Sequence, residues 1–397
     1  MLSVPESSGT LGWPGGEGGF LGLGWLRAAG MPGPVPIPAE AEADPLWNDV
    51  VSRQDAHREK LDPPFDTGDP PYRLFLNAGA SLVKPHLESN PAFTLFQTHK
   101  VGSTTQLLRS SVQGLSYESE FMPHVSLGVE YDSGWGIRST WWRFAEGSNQ
   151  ANLLNLDATG STIIQPPPVF GVPGFSSPGV LARQFQVFQE TLSFGTHLET
   201  QVCDSEVTRC FTLGSWELLL AGGGRYTYLS QGYSAFRFNK GTGKSGTSKV
   251  TITQDSDLVT TGHNFSGFGP TLAIEVHRPL WNTGFAFYGT GRSSVTFGRG
   301  RTRSQQITIQ SFQIIPTKGS TQTVKTTVER DASSGHNDVL PVEEMEIGIE
   351  WSRRCGRVGV LLQTGVVVQD WTNTGNGSSE KGDLSVIGLS LTAGCSY

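Results

Sequence analysis

From residue 72 onward, apolar and polar positions alternate along the chain with a period of two. Successive side chains of a strand point to opposite faces, so this period predicts half-buried β-strands. Leu74, Leu76, Ala78, Ala80 and Leu82 share one face of the first strand. Tyr117, Phe121, Val125, Leu127, Val129 and Tyr131 share one face of the second, with Glu118, Glu120, His124, Ser126 and Glu130 on the other. After the turn Asp132-Ser133-Gly134, Trp135, Ile137, Ser139 and Trp141 alternate with Arg138, Thr140 and Trp142. The same grammar predicts strands near 198–211, 216–226, 263–278, 285–297, 344–351, 358–369 and 387–397, about ten in all.

The spacing between strands is the decisive feature. Short connections fall near 132–134, 212–215, 279–283 and 353–356. They alternate with long ones, roughly 85–113, 146–195, 231–262, 298–338 and 371–383, rich in Gly, Ser, Thr, Asn and Gln. Short turns at one end and long, water-exposed loops at the other is the pattern of an outer-membrane barrel. Closure has a physical reason: in hydrocarbon every backbone N–H and C=O needs a partner, so a spanning sheet cannot keep edges. A soluble sandwich has the same period, but its strands cluster near about 5–6 residues, not the roughly 12–15 expected here. The expectation is therefore an all-β fold, a closed antiparallel transmembrane β-barrel of about ten strands (eight to twelve) over residues 73–397.

Composition narrows the class further. Charged residues are 16% of the 397, glycines number 50, aromatics are 10%, and no run of apolar residues reaches the length of a membrane helix. A net charge of −7 gives no drive toward nucleic acid. Four cysteines without a CxxC point to mostly free thiols, with room for one bridge, and to no zinc site. Residues 1–72 read as a separate export or flexible arm. It contains the Pro-rich stretch 31–38 and a weak apolar segment, 20–26, whose first basic residue is Arg27. The helix start at Asp44-Pro45 predicts a short helix over 45–60.

The stretch HVSLGVEYDSGWGIRSTWWRF at 124–144 resembles a hairpin of the pore-forming outer-membrane proteins of the Legionella major-outer-membrane-protein type, planctomycete-like relatives included. Residues 216–233, FSGFGPTLAIE at 265–275 and EMEIGIEW at 344–351 are similar to the same pattern, and the terminal Tyr397 resembles the C-terminal aromatic that outer-membrane assembly machinery reads. The resemblance implies an outer-membrane barrel in a bacterial envelope and a pore; it brings no catalytic set.

If the apolar parity faces lipid, the other lines the lumen with Glu118, Glu120, Glu130, Arg138, Asp204, Glu206, Glu217, Arg225, Glu275, Arg292, Glu344, Glu346 and Glu350. An Arg in lipid costs roughly 2–4 kcal/mol at the midplane, so Arg138, Arg225 and Arg292 are expected inside, partnered by carboxylates. Two interiors fit: an acidic, weakly cation-preferring water path, or a filled, salt-bridged core. Trp135, Trp141, Trp216, Tyr226, Tyr228, Tyr288, Trp351 and Tyr397 are candidates for interfacial aromatic belts. Enzyme signatures are poor. Gly241-Thr-Gly-Lys-Ser245 ends like a phosphate loop, but Phe238 stands where its first Gly belongs, and neither HExxH nor GxSxG occurs. His124 beside Glu120 reads as a lumenal hydrogen-bonded group rather than a catalytic pair. The sequence thus predicts a non-enzymatic barrel without cofactor or metal, in contact with the bilayer, permitting porin-like passage of small solutes or ions. The alternative is a non-conducting surface barrel whose loops bind partners.

Overall fold

The computed structural model describes residues 71–397 except 89–90, 102–103, 147–149, 156–161, 168–184, 246–247, 282, 316–318 and 378–381. The expected N-terminal arm and its helix lie outside the described residues. Fourteen strands follow in order: β1 Tyr72–Leu87, β2 Pro91–Val101, β3 Thr104–Gly114, β4 Glu120–Tyr131, β5 Trp135–Glu146, β6 Gln150–Asn155, β7 Thr162–Gln165, β8 Phe185–Leu213, β9 Trp216–Ser245, β10 Ser248–Leu280, β11 Phe285–Ile315, β12 Gln322–Cys355, β13 Val358–Trp371 and β14 Leu384–Ser396.

Ten of them close into a ring. Neighbours run β5-β4-β1-β14-β13-β12-β11-β10-β9-β8, and β8 pairs back onto β5. Every pairing in the ring is antiparallel. The seam between the two ends of the chain runs from Phe75↔Ser396 to Leu87↔Leu384, and Leu74 and Tyr397 exchange backbone hydrogen bonds of 2.9 Å beyond it. No ring strand keeps an open edge in the hydrocarbon, where each unpaired backbone group costs several kcal/mol. The expected closed barrel of about ten strands is what the chain forms.

The short connections fall where the spacing puts them, at 132–134, 214–215, 281–284 and 356–357. Gly214 and Gly356 sit in the left-handed region, with φ of 63° and 65°, as two-residue hairpin turns require. Outside, large apolar side chains such as Leu76, Phe121, Leu127, Ile137, Leu272, Ile347 and Leu389 are 48–66% exposed. A water-soluble surface does not carry such a continuous apolar belt. Lipid-exposed barrel walls do.

The long connections differ from expectation. Much of 185–195, 231–245, 248–262, 298–315 and 322–338 is strand, so β8 to β12 reach 29, 30, 33, 31 and 34 residues. At ~3.3 Å per residue the longest extends roughly 110 Å, several times the ~25 Å apolar band. These segments are polar, but they are also Thr-, Val- and Ile-rich, as in Gln305-Gln-Ile-Thr-Ile-Gln-Ser-Phe312. Branching at Cβ favours the pleated conformation whatever the polarity. The wall they build is lined by a second apolar cluster: Leu192, Phe194, Tyr233, Ala235 and Val259 meet Ala92, Phe93 and Ile164. The latter three come from a small sheet, β3-β2-β7, formed within the first long connections. Phe93 stacks on Phe194 at 4.8 Å, and the Tyr233 hydroxyl donates to the Ala92 carbonyl at 2.6 Å.

The last long connection turns inward at 372–377 instead of into water. Thr374 and Asn376 are buried, and the Gly375 N–H donates to the Gly382 carbonyl at 3.0 Å. Gly377 comes so close to β9 that a Cβ there would lie 2.5 Å from the Gly232 carbonyl, leaving room for no side chain. β9 is four strands away from β13 around the ring, so this segment crosses the lumen.

Candidate lumenal charge layer

The inward parity of each strand fixes which side chains meet. On β8 the even positions Thr200, Val202, Asp204, Glu206 and Thr208 are buried, which settles the strand whose parity the sequence defines least. On β9 the inward set is odd and includes Arg225, Thr227 and Leu229. Asp204 and Arg225 are direct cross-strand partners, as are Arg138 and Glu206 across the β5–β8 pairing and Arg292 and Glu344 across β11–β12. Three arginines and four carboxylates thereby converge in one layer.

Arg225 is fully buried. Its Nε and one terminal nitrogen donate to the two oxygens of Asp204 at 2.7 and 2.8 Å, and its other side donates to Glu344 at 2.8 Å and to the Ser294 hydroxyl at 3.1 Å. Arg292 donates to Asp204 at 2.9 Å and to Glu206 at 2.6 Å. Arg138 bridges Glu206 at 2.9 Å and Glu275 at 2.5 Å. The planar guanidinium fork suits such two-sided pairing, and a charge left alone there would cost several kcal/mol.

Toward the short turns lies a looser polar group. Tyr288 and Ser390 donate to the same Glu346 oxygen at 2.6 and 2.5 Å. His277 lies 3.1 Å and the Gln363 amide 3.0 Å from Glu350. His124 sits 2.8 Å from the Thr392 hydroxyl, not on Glu120. His277, Tyr288, Glu346 and Gln363 of this group, with Asn77, His124 and, from the charge layer, Arg138, Asp204, Glu275, Arg292 and Glu344, border a cavity of about 220 Å³. On the opposite side of the charge layer the lumen turns apolar. Trp142 meets Trp371 edge to face at 5.8 Å, and Leu198, Val202, Leu229, Leu340, Val342 and Leu384 fill the section at no more than 2% exposure. The inserted segment 372–377 follows directly on Trp371.

The structure thus gathers Arg138, Asp204, Glu206, Arg225, Glu275, Arg292 and Glu344 into one network, with Glu346 and Glu350 beside it. It leaves four expected members outside, of which Glu217 is exposed at the start of β9, at the short-turn end. Glu118 and Glu120 are exposed near the long-loop end, where the Glu118 N–H donates to Glu146 at 2.7 Å. Glu130 is at the short-turn end and pairs with Arg73 at 2.5 Å. Of the aromatics, Trp135, Trp216, Tyr226 and Tyr397 are outward and exposed, and Trp141, Tyr228 and Trp351 are half-buried. Arg209 covers Trp135 and Arg278 covers Trp216, each at 4.9 Å, as interfacial cation–π pairs do. Tyr288 is a correction: expected at the membrane interface, it is buried in the lumen on Glu346. It shares the parity of Arg292, four residues on, and that parity is the signal that could have placed it. Sequence reasoning also missed His277, Ser294, Gln363 and the inward segment.

The phosphate-loop-like residues 241–245 run as extended strand β9, the opposite of a backbone cradle. All four cysteines are free, and no group of three or more His, Cys, Asp or Glu among the described residues is placed to hold a metal.

No curated protein matches the chain. Solved structures with a similar course include the outer membrane protease OmpT of Escherichia coli, at 10% identity and a TM-score of 0.35, covering 84% of this chain and 99% of that one. The toluene transporter TodX of P. putida follows at 8% identity and 0.17, covering 83% and 90%, and a Pseudomonas aeruginosa FadL homologue at 7% and 0.20, covering 82% and 90%. The family model described as the Legionella pneumophila major outer membrane protein precursor matches residues 80–392, more than three quarters of the chain. With a closed ring, a lipid-facing outside and an ionic inside already established, that match means that the chain belongs to the Legionella major-outer-membrane-protein family and is a β-barrel of the bacterial outer membrane.

Proposed function

We propose that this is a non-conducting surface barrel that holds a long β-wall above the outer membrane for contact with partners. One observation carries the reading: the lumen is crossed in succession by an ion-paired layer, an apolar layer and the inserted segment 372–377. A water path needs continuous accessible polar surface, and Val202, Leu229, Val342, Trp371 and Leu384 offer none. The test is conductance in planar bilayers. Folded protein, verified by heat-modifiable migration, is expected to give no discrete current steps, and replacing 372–383 by a tight turn together with Trp142→Ala and Trp371→Ala is expected to create them. Steps from the unaltered chain would overturn the reading.

The polar cavity beneath the seal favours a second reading, porin-like permeation of small solutes or ions through a lumen that opens when the inserted segment withdraws. In that case Glu346→Gln and Glu350→Gln would reduce cation preference. Both readings are non-enzymatic. What supports this is that the lumenal carboxylates and imidazoles are engaged with Arg, Tyr, Ser, Thr and Gln side chains rather than poised on a nucleophile. Hydrolysis of peptide or ester substrates by the purified protein in detergent would count against both.

A further inference from the structure

On the outer face of β11, three arginines follow the lipid-facing stripe without a break. Phe285, Phe287 and Phe297 point outward at 47–57% exposure. The next outward positions are Arg299, Arg301 and Arg303, all exposed, while Thr302, Ser304 and Gln306 between and beyond them are buried inward. Side chains two apart on one strand face are ~7 Å from each other. The residues from Phe285 to Phe297 climb roughly 30 Å for a strand tilted as barrel strands are, enough to cross the apolar band.

Pairing with the neighbouring strands shows what surrounds the row. Phe297 lies opposite Phe268 and Val339, and Phe268 opposite Tyr226, so an exposed girdle spans four strands just beneath the arginines. Arg299 lies between Ser266 and Asn337, Arg301 between Asn264 and Gly335, and Arg303 between Gly262 and Ser333. None of these neighbours is acidic. On the outward face of β12, Glu343 lies opposite Ser293, six residues nearer the short turns than Arg299, and Asp331 lies one row further out, opposite Gln305. Three guanidinium groups therefore stand side by side at the outer-leaflet rim, with no carboxylate in the rows that face them among the described residues.

We propose that this row, with the hydroxyl and amide donors of Ser266, Asn264, Asn337 and Ser333 around it, binds the phosphate groups of an outer-leaflet lipid whose acyl chains lie on the apolar girdle below. A like-charged row on a strand is unfavourable unless an anion bridges it. Guanidinium is the side chain best matched to phosphate oxygens. Continuity with the lipid-facing stripe selects a membrane lipid over a soluble anion.

The test measures binding of diphosphorylated lipid A to the full chain in neutral detergent by native mass spectrometry. Each arginine near an anionic surface contributes about fivefold in affinity. The combined R299Q/R301Q/R303Q variant is thus expected to bind on the order of a hundredfold more weakly than the unaltered chain. Dephosphorylated lipid A is expected to lose affinity similarly, and inorganic phosphate not to compete. The control variant R353Q/R354Q/R357Q, at the opposite rim, is expected to bind normally. Should the triple variant fail the heat-modifiability check, the three single substitutions, each expected to weaken binding about fivefold, decide the question. Binding within twofold of the unaltered chain, equal loss in the control, or full competition by inorganic phosphate would each overturn the proposal.

Discussion

The lower and upper halves of the wall share the two-residue period but differ, along part of β8 and β9, in which face carries the apolar side chains. In the lower half of β10, Leu272 and Ile274 face outward at 66% and 47% exposure while Glu275 points into the lumen. In the upper half of β8 and β9, Leu192, Phe194 and Ala235 point inward at 0–1% exposure beside the buried Arg237–Asp257 pair, and Ser193, Ser234 and Phe236 face out. The strands run straight through the change; what inverts is the solvent outside. Lipid rewards apolar groups on the convex face and leaves charges to pair within, whereas water returns the apolar groups to the inside.

The largest effect is expected in the ionic layer. Arg225→Leu leaves Asp204 and Glu344 to share Arg292 alone, removes the buried two-sided pairing, and should cost about 3–5 kcal/mol in urea-monitored unfolding from lipid vesicles. A loss under ~1 kcal/mol would mean that water reaches the layer. In the upper half the equivalent blow is to apolar packing. Phe194→Ala removes the partner of Phe93 and should cost about 3–4 kcal/mol by the same measurement. Outward charge discriminates the halves directly. Leu272→Arg places a cation in lipid and should cost roughly 2–4 kcal/mol, while Ser234→Arg, on the same parity in the upper wall, should stay within about 0.5 kcal/mol. Equal effects would erase the boundary.

A smaller effect concerns pH. Glu146 is above the lipid band, and its burial pushes its carboxyl up from 4.5 to about 7, only partly opposed by the Glu118 N–H. The folded chain then holds this proton to higher pH than the unfolded chain does. Its contribution is complete below about pH 4.5 and is lost as the pH rises toward 7. Hydrogen exchange of the 115–120 backbone should quicken over that window, and Glu146→Gln should flatten the dependence. Smallest of all, Arg143→Gln breaks an exposed 2.7 Å pair with Glu199 and should change stability by under about 1 kcal/mol.

The lower half is legible in the sequence because lipid imposes one rule on the ring strands, departed from on the outward face of β12 at Glu343. Alternation placed Leu272 and Glu275 on their correct sides, and the cost of Arg in lipid put Arg138, Arg225 and Arg292 inside. The upper half reads as loop because its residues are polar, although Thr, Val and Ile there prefer extended backbone. Tyr288 was drawn to the interface by its chemistry when its parity spoke for the lumen. The inward course of 372–377 depends on one glycine meeting a backbone four strands away, and no local pattern records that.

The seam carries a consequence for how the cylinder comes to exist. The strand beginning at Tyr72 and the one ending at Ser396 are mates, yet synthesis delivers them first and last among the ring strands. Until the final dozen residues arrive, β1 has one flank unsatisfied, so partial chains offer a sticky margin to any other extended peptide. Losing the terminal strand would not shorten the barrel; it would unzip it, leaving a curled ribbon that has no stable place in a bilayer.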